Sequence, residues 1–215
     1  MSSLALSDAV LAAASTFAVF LLCQQQAFAE IHRTATKGAL LGFLLVALAS
    51  AAGTLKYGFS EIWTGVYLFL NNAATYLSPP LVGTAIALLL SNRVWSKPAW
   101  GRMIIGLCLA YEISRWYGVE TLYRDALLAV SLLIALYSVV RAQVEPGPKG
   151  LLLIAFISFF IGGLVIGNEG TLGGYLRLNL FRYMIALGSL LMATGLFMLL
   201  KNQNRTFEQA DINQE

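Results

Sequence analysis

Two stretches of this chain place polar residues at helical spacing inside otherwise apolar sequence. Cys108, Tyr111, Glu112, Arg115 and Trp116 fall on one broad face by i, i+3, i+4 spacing, and Tyr175, Asn179, Arg182, Tyr183 and Ala186 do the same. At 1.5 Å per residue, Glu112 and Arg182 each lie about 6–9 Å inside the same boundary, so their depths match. A lone charge at that depth is costly, and ionisable residues within membrane spans turn inward and find partners. Asn71, Asn72 and Tyr76 fall at or slightly below the same level. The pattern predicts that Glu112, Arg182, Arg115, Asn71, Asn72, Tyr76, Asn179 and Tyr183 line a polar chamber that binds a ligand. A plainer reading competes with it. Glu112 and Arg115 pair on their own helix, Arg182 snorkels to the head groups, and the asparagines tie helices together.

Other chemistries find no residues to carry them. The one histidine, His32, falls in a loop, so neither two axial haem ligands nor the three intramembrane histidines of alkaline-ceramidase-type zinc hydrolases are present. Lys201 stands at the end of the last apolar run, which excludes a retinal lysine within it. There is no glycine-rich phosphate loop, no Ser-His-Asp set and no pair of catalytic carboxylates. Cys23 and Cys108 fall in apolar runs and read as small hydrophobes, with no metal spacing. No cofactor and no metal are expected. The reading is a non-enzymatic membrane bundle that binds a small amphiphile, a lipid or a partner protein. The alternative is an intramembrane enzyme or small permease using Glu112 with Arg182.

The elements that must position these residues follow from composition. Of 215 residues, 58% are hydrophobic and only 12% charged, with net charge +3. An ordinary soluble domain is about 45–50% apolar and about 25% charged. A soluble globule and a disordered chain are both excluded, and the basic balance suits anionic lipid heads rather than nucleic acid. Seven apolar runs account for most of the chain: Asp8–Phe28, Gly38–Leu55, Ile62–Leu90, Gly101–Tyr117, Asp125–Arg141, Gly150–Gly167 and Leu178–Leu200. A hydrocarbon core of about 30 Å takes about 17–25 helical residues, so six of these fit one span each. The third is longer and contains Pro79-Pro80. It reads as one helix kinked at Ser78-Pro79-Pro80, because splitting it would break the charge alternation of the loops.

With the N-terminus outside, the inner segments hold Arg33, Lys37, Arg93, Lys97, Arg102, Arg141, Lys149, Lys201 and Arg205. The outer side keeps only Lys56, Arg115, Arg124, Arg177 and Arg182, beside Glu61, Glu112, Glu120, Asp125 and Glu169. That is the bias basic residues show toward the cytoplasmic side. Ala27-Phe28-Ala29 resembles a signal-peptidase site, but residues 1–10 carry no Lys or Arg, only Asp8, and cleavage would invert the bias. The expected architecture is an all-α bundle of seven transmembrane helices over residues 1–200, with a disordered polar cytoplasmic tail from 201 to 215.

Small residues at four-residue spacing, Gly38 with Gly42, Ala49 with Gly53 and Gly163 with Gly167, predict close helix packing within the chain, with a homodimer seam as the alternative. The stretch from Ser7-Asp8-Ala9-Val10-Leu11 through Ala51-Ala52-Gly53-Thr54-Leu55-Lys56-Tyr57-Gly58-Phe59 resembles uncharacterised bacterial multi-span membrane proteins. These have a similar small-residue second helix ending in Gly-x-Leu-basic-aromatic-Gly. The resemblance covers the first third to half of the chain and implies a bacterial inner-membrane location, with no activity attached.

Overall fold

The computed structural model describes residues 3–91, 93–167 and 170–212. Seven α-helices carry the fold: α1 (Ser3–Leu22), α2 (Arg33–Gly58), α3 (Thr64–Leu90), α4 (Lys97–Trp116), α5 (Glu120–Arg141), α6 (Pro146–Phe160) and α7 (Arg177–Ile212). Six of them, all but α4, are long and apolar enough to cross a membrane, and they mark the chain as an integral membrane protein.

Local sequence explains where these helices begin and turn. Pro98 opens α4, and Pro146 and Pro148 open α6, in first turns whose N–H groups have no intrahelical acceptor. Gly118, at φ +67°, makes the tight turn from α4 to α5. Before α7, Thr171–Leu172 and Tyr175–Leu176 form a small antiparallel hairpin. Its two-residue loop is Gly173-Gly174, with φ of +58° and +85°, as a twisted two-residue turn demands. Inside the helices, hydroxyls return to the preceding turn. Thr36 donates to the His32 carbonyl at 2.9 Å and Ser131 to the Leu127 carbonyl at 2.7 Å. These two hydroxyls thus stay satisfied where water is scarce.

The six apolar helices close into a ring in the order α1, α2, α3, α5, α6, α7, with α7 back against α1. Buried Phe28, Phe43, Leu81, Ile86, Val139, Phe156 and Leu196 fill its core. Small residues permit the closest approaches. A methyl group at Gly42 would meet the Ser78 carbonyl of α3 at 3.2 Å, and one at Gly83 would meet the Ser131 carbonyl of α5 at 2.8 Å. The glycines of α2 therefore serve packing inside the chain.

The fourth helix lies on the rim, against α3 and α5. Thr84 meets Met103 at 3.7 Å and the Tyr76 and Tyr111 ring centroids lie 4.2 Å apart, tilted by 42°, so α4 runs antiparallel to α3. Only Trp100 and Ser114 of its residues are buried. Lys97, Arg102, Glu112 and Arg115 dilute its apolar character, and for that reason it stands apart from the six apolar spans. Seven α-helices lie among the described residues, and six of them are long and apolar enough to cross a membrane.

The third apolar run keeps to one uninterrupted helix through Pro79 and Pro80, and the last helix runs on past the apolar sequence. Beyond Leu200, where composition predicted a disordered tail, α7 continues to Ile212, and residues 213–215 lie outside the described residues. Extending an existing helix adds a hydrogen bond per residue without a new nucleus, and Lys, Gln, Arg and Glu are good helix formers. The Asn202 amide also donates to Glu145 at the start of α6, at 2.7 Å. Cys23 and Cys108 are both exposed rather than packed in the core.

Candidate functional site

Near the start of α1 and the start of α7, a charged pair is enclosed by protein. Arg182 Nε lies 3.0 Å from Asp8 Oδ1, with side chains only 7% and 3% exposed. Asp8 is five residues into α1 and Arg182 five residues into α7, so each sits about 7.5 Å along its helix. The rest of the guanidinium is spent on the same neighbourhood. Nη1 donates to the Leu4 carbonyl at 3.3 Å and to Ser7 Oγ at 3.4 Å, and Nη2 donates to the Tyr67 hydroxyl at 3.4 Å. The planar fork of arginine suits such a set of acceptors. Ser7 in turn donates to Asn179 Oδ1 at 2.9 Å, one helical turn before Arg182.

The wall opposite comes from α2 and α3. The Tyr57 ring lies 5.5 Å from the Arg182 guanidinium carbon and 5.7 Å edge-on from the Tyr67 ring. Lys56 Nζ sits over both rings, 4.9 Å from Tyr57 and 4.8 Å from Tyr67, a cation–π arrangement. Gly53 makes room for the carboxylate, since a methyl group there would stand 2.8 Å from Asp8 Cγ. One polar atom is left over: Asp8 Oδ2 is buried and has no hydrogen-bond partner among the described residues. An ionised buried carboxylate oxygen without a donor is costly. The cluster holds one acid, Asp8, and two bases, Arg182 and Lys56.

The residues singled out by sequence divide between this cluster and elsewhere. Arg182 and Asn179 belong to it, and Tyr183 follows Arg182 as a half-buried residue of α7. Glu112 does not meet Arg182. It faces Arg115 at 3.7 Å on its own helix, with side chains 57% and 58% exposed. Matched depth set Glu112 and Arg182 at one level, but α4 is on the rim while α7 pairs with α1, so their faces never converge. Tyr76 is buried in a separate aromatic group, packed on Tyr111 and stacked with Tyr123 at 5.9 Å. The Asn71 carbonyl accepts from Thr75 at 2.7 Å, and Asn72 is exposed.

Asp8, Ser7, Lys56, Tyr57 and Tyr67 complete the site and were missed in the sequence. The signal was available, because Asp8 interrupts an apolar stretch at the depth of Arg182. Reading the first span as beginning at Asp8 turned that carboxylate into a flank. Among the described residues no group of three or more His, Cys, Asp or Glu could hold a metal ion. No protein-family model, no curated protein and no solved structure matches the chain.

Proposed function

We propose that the protein is a non-enzymatic membrane bundle that binds the anionic head of a small amphiphile or lipid at the Asp8–Arg182–Lys56 cluster. The observation that carries this reading is the buried Asp8–Arg182 pair, flanked by Lys56 over two tyrosine rings. One excess positive charge, from Arg182 and Lys56 against Asp8, suits a carboxylate or phosphate. A protein partner offering an acidic side chain would use the same chemistry. The reading agrees with basic-residue bias, which puts this end of the bundle outside the cell, as a seven-span chain with its C-terminus in the cytoplasm of a bacterial inner membrane. It also takes α3 to bend at Pro79-Pro80, because each proline removes an amide donor and crowds the preceding turn.

Native mass spectrometry of the detergent-solubilised protein tests the proposal. The wild-type chain should retain a non-protein mass of amphiphile size, and Lys56→Gln should lose it while staying folded. Bare chain in both samples would refute the reading.

A further inference from the structure

The far end of α2 carries a second, separate arrangement. Lys37 lies about 28 Å along α2 from Lys56, so the two mark opposite ends of the bundle. A groove of about 370 Å³ opens there between the first turns of α2 and α4. Thr34, Lys37 and Lys97 line it on the polar side, and Leu41 and Ile104 on the apolar side. No acidic residue is among the lining residues. Both lysines are exposed, and neither has an ion-pair partner among the described residues. Trp100 completes the wall. It is 7% exposed, and its indole Nε1 is buried with no hydrogen-bond partner among the described residues. Its ring is held by contact with Gly38, where a methyl group would stand 3.0 Å from Cζ2. The groove also faces the start of α4, a 20-residue helix whose N-terminal dipole favours anions.

We propose that this groove binds the phosphate diester head of an anionic membrane phospholipid. Lys37 and Lys97 hold the phosphate, the Trp100 ring walls the groove, and the first acyl segment lies on Leu41 and Ile104. Three observations converge on this: unopposed positive charge, a helix N-terminus and apolar lining residues. The apolar lining is what selects a lipid over a free anion. A zwitterionic head brings its own cation against the two lysines and is disfavoured. The site shares no residue with the Asp8–Arg182–Lys56 cluster, so either can fail alone.

The test is a titration of the full chain in neutral detergent, with adducts counted by native mass spectrometry. The probes are short-chain phosphatidylglycerol, short-chain phosphatidylcholine and inorganic phosphate. One tight phosphatidylglycerol adduct per chain is expected, with phosphatidylcholine weaker. Lysine near an anionic lipid surface contributes enough that each Lys→Gln change should weaken binding about fivefold, and Lys37→Gln with Lys97→Gln about 25-fold. Lys37→Arg with Lys97→Arg should retain binding. Equal affinity in wild type and the double glutamine variant would overturn the proposal. So would displacement by inorganic phosphate, which marks a free-anion site, or equal weakening by Lys201→Gln, which marks general attraction to basic charge.

Discussion

Asp8→Asn tests the buried pair with the least change of shape. The substitution keeps the volume that Gly53 accommodates and removes the charge 3.0 Å from Arg182 Nε. The contacts left to Arg182, at 3.3 to 3.4 Å, are longer than good charge-assisted hydrogen bonds and cannot replace a carboxylate. Two magnitudes compete. Polar contacts between membrane helices average only about 0.6 kcal/mol. Stranding one member of a buried ion pair costs about 3–5 kcal/mol. With side chains 3% and 7% exposed, the second applies. Asp8→Asn and Arg182→Gln should each destabilise the bundle by about 3–5 kcal/mol. The two together should cost less than their sum by about 2–3 kcal/mol, since neither charge is then stranded. Unfolding in mixed micelles of increasing denaturing detergent, followed by tryptophan fluorescence, gives all four corners of the cycle. Single variants that cost under about 1 kcal/mol and add independently would refute the reasoning.

The exposed pair on α4 should behave in the opposite way: Glu112→Gln should change stability by less than about 1 kcal/mol in the same assay. Gly53→Leu should disrupt the Asp8 end, because its side chain has nowhere to go but into the carboxylate and Tyr67, and a lowered melting temperature in detergent would register it. For orientation, Asn204→Cys in a chain lacking Cys23 and Cys108 should resist an impermeant thiol reagent in intact cells and react after permeabilisation. For the α3 bend, spin labels at Val66 and Ser91 should lie closer than the roughly 37 Å of a straight helix, and Pro79→Ala with Pro80→Ala should lengthen that distance; an unchanged distance would count against a bend.

The helices were legible because apolar run length is a direct physical readout of membrane crossing. Ile62–Leu90 became α3 (Thr64–Leu90) nearly residue for residue, prolines included. The ends were less legible where charged residues belong to the helix itself. Glu120 starts α5 five residues before the apolar run does, since an acid in a first turn complements the helix dipole. The same effect hid the site: α1 begins at Ser3, before Asp8, so a residue taken for a flank is a buried partner. Arg182 and Asn179 were found because spacing within one helix is visible in sequence. Which helix stands opposite is a matter of ring order, and no spacing records that α7 closes on α1 rather than on α4. Tyr57 and Tyr67 were invisible for a similar reason, since each gains meaning from the partners that other helices bring to it.

The closure of the ring through Asp8 and Arg182 sets a timetable for making the protein. Ser7 and Arg182, joined in the finished bundle, are 175 residues apart in the chain. At roughly 5–20 residues synthesised per second, the first helix waits about 10–35 s for its counter-charge to leave the ribosome. During that wait α1 carries an acid with no base beside it until Lys56 arrives on α2, and the pair itself forms only with the last helix. A chain that stops before α7 therefore keeps Asp8 in its first span without the guanidinium that closes the ring.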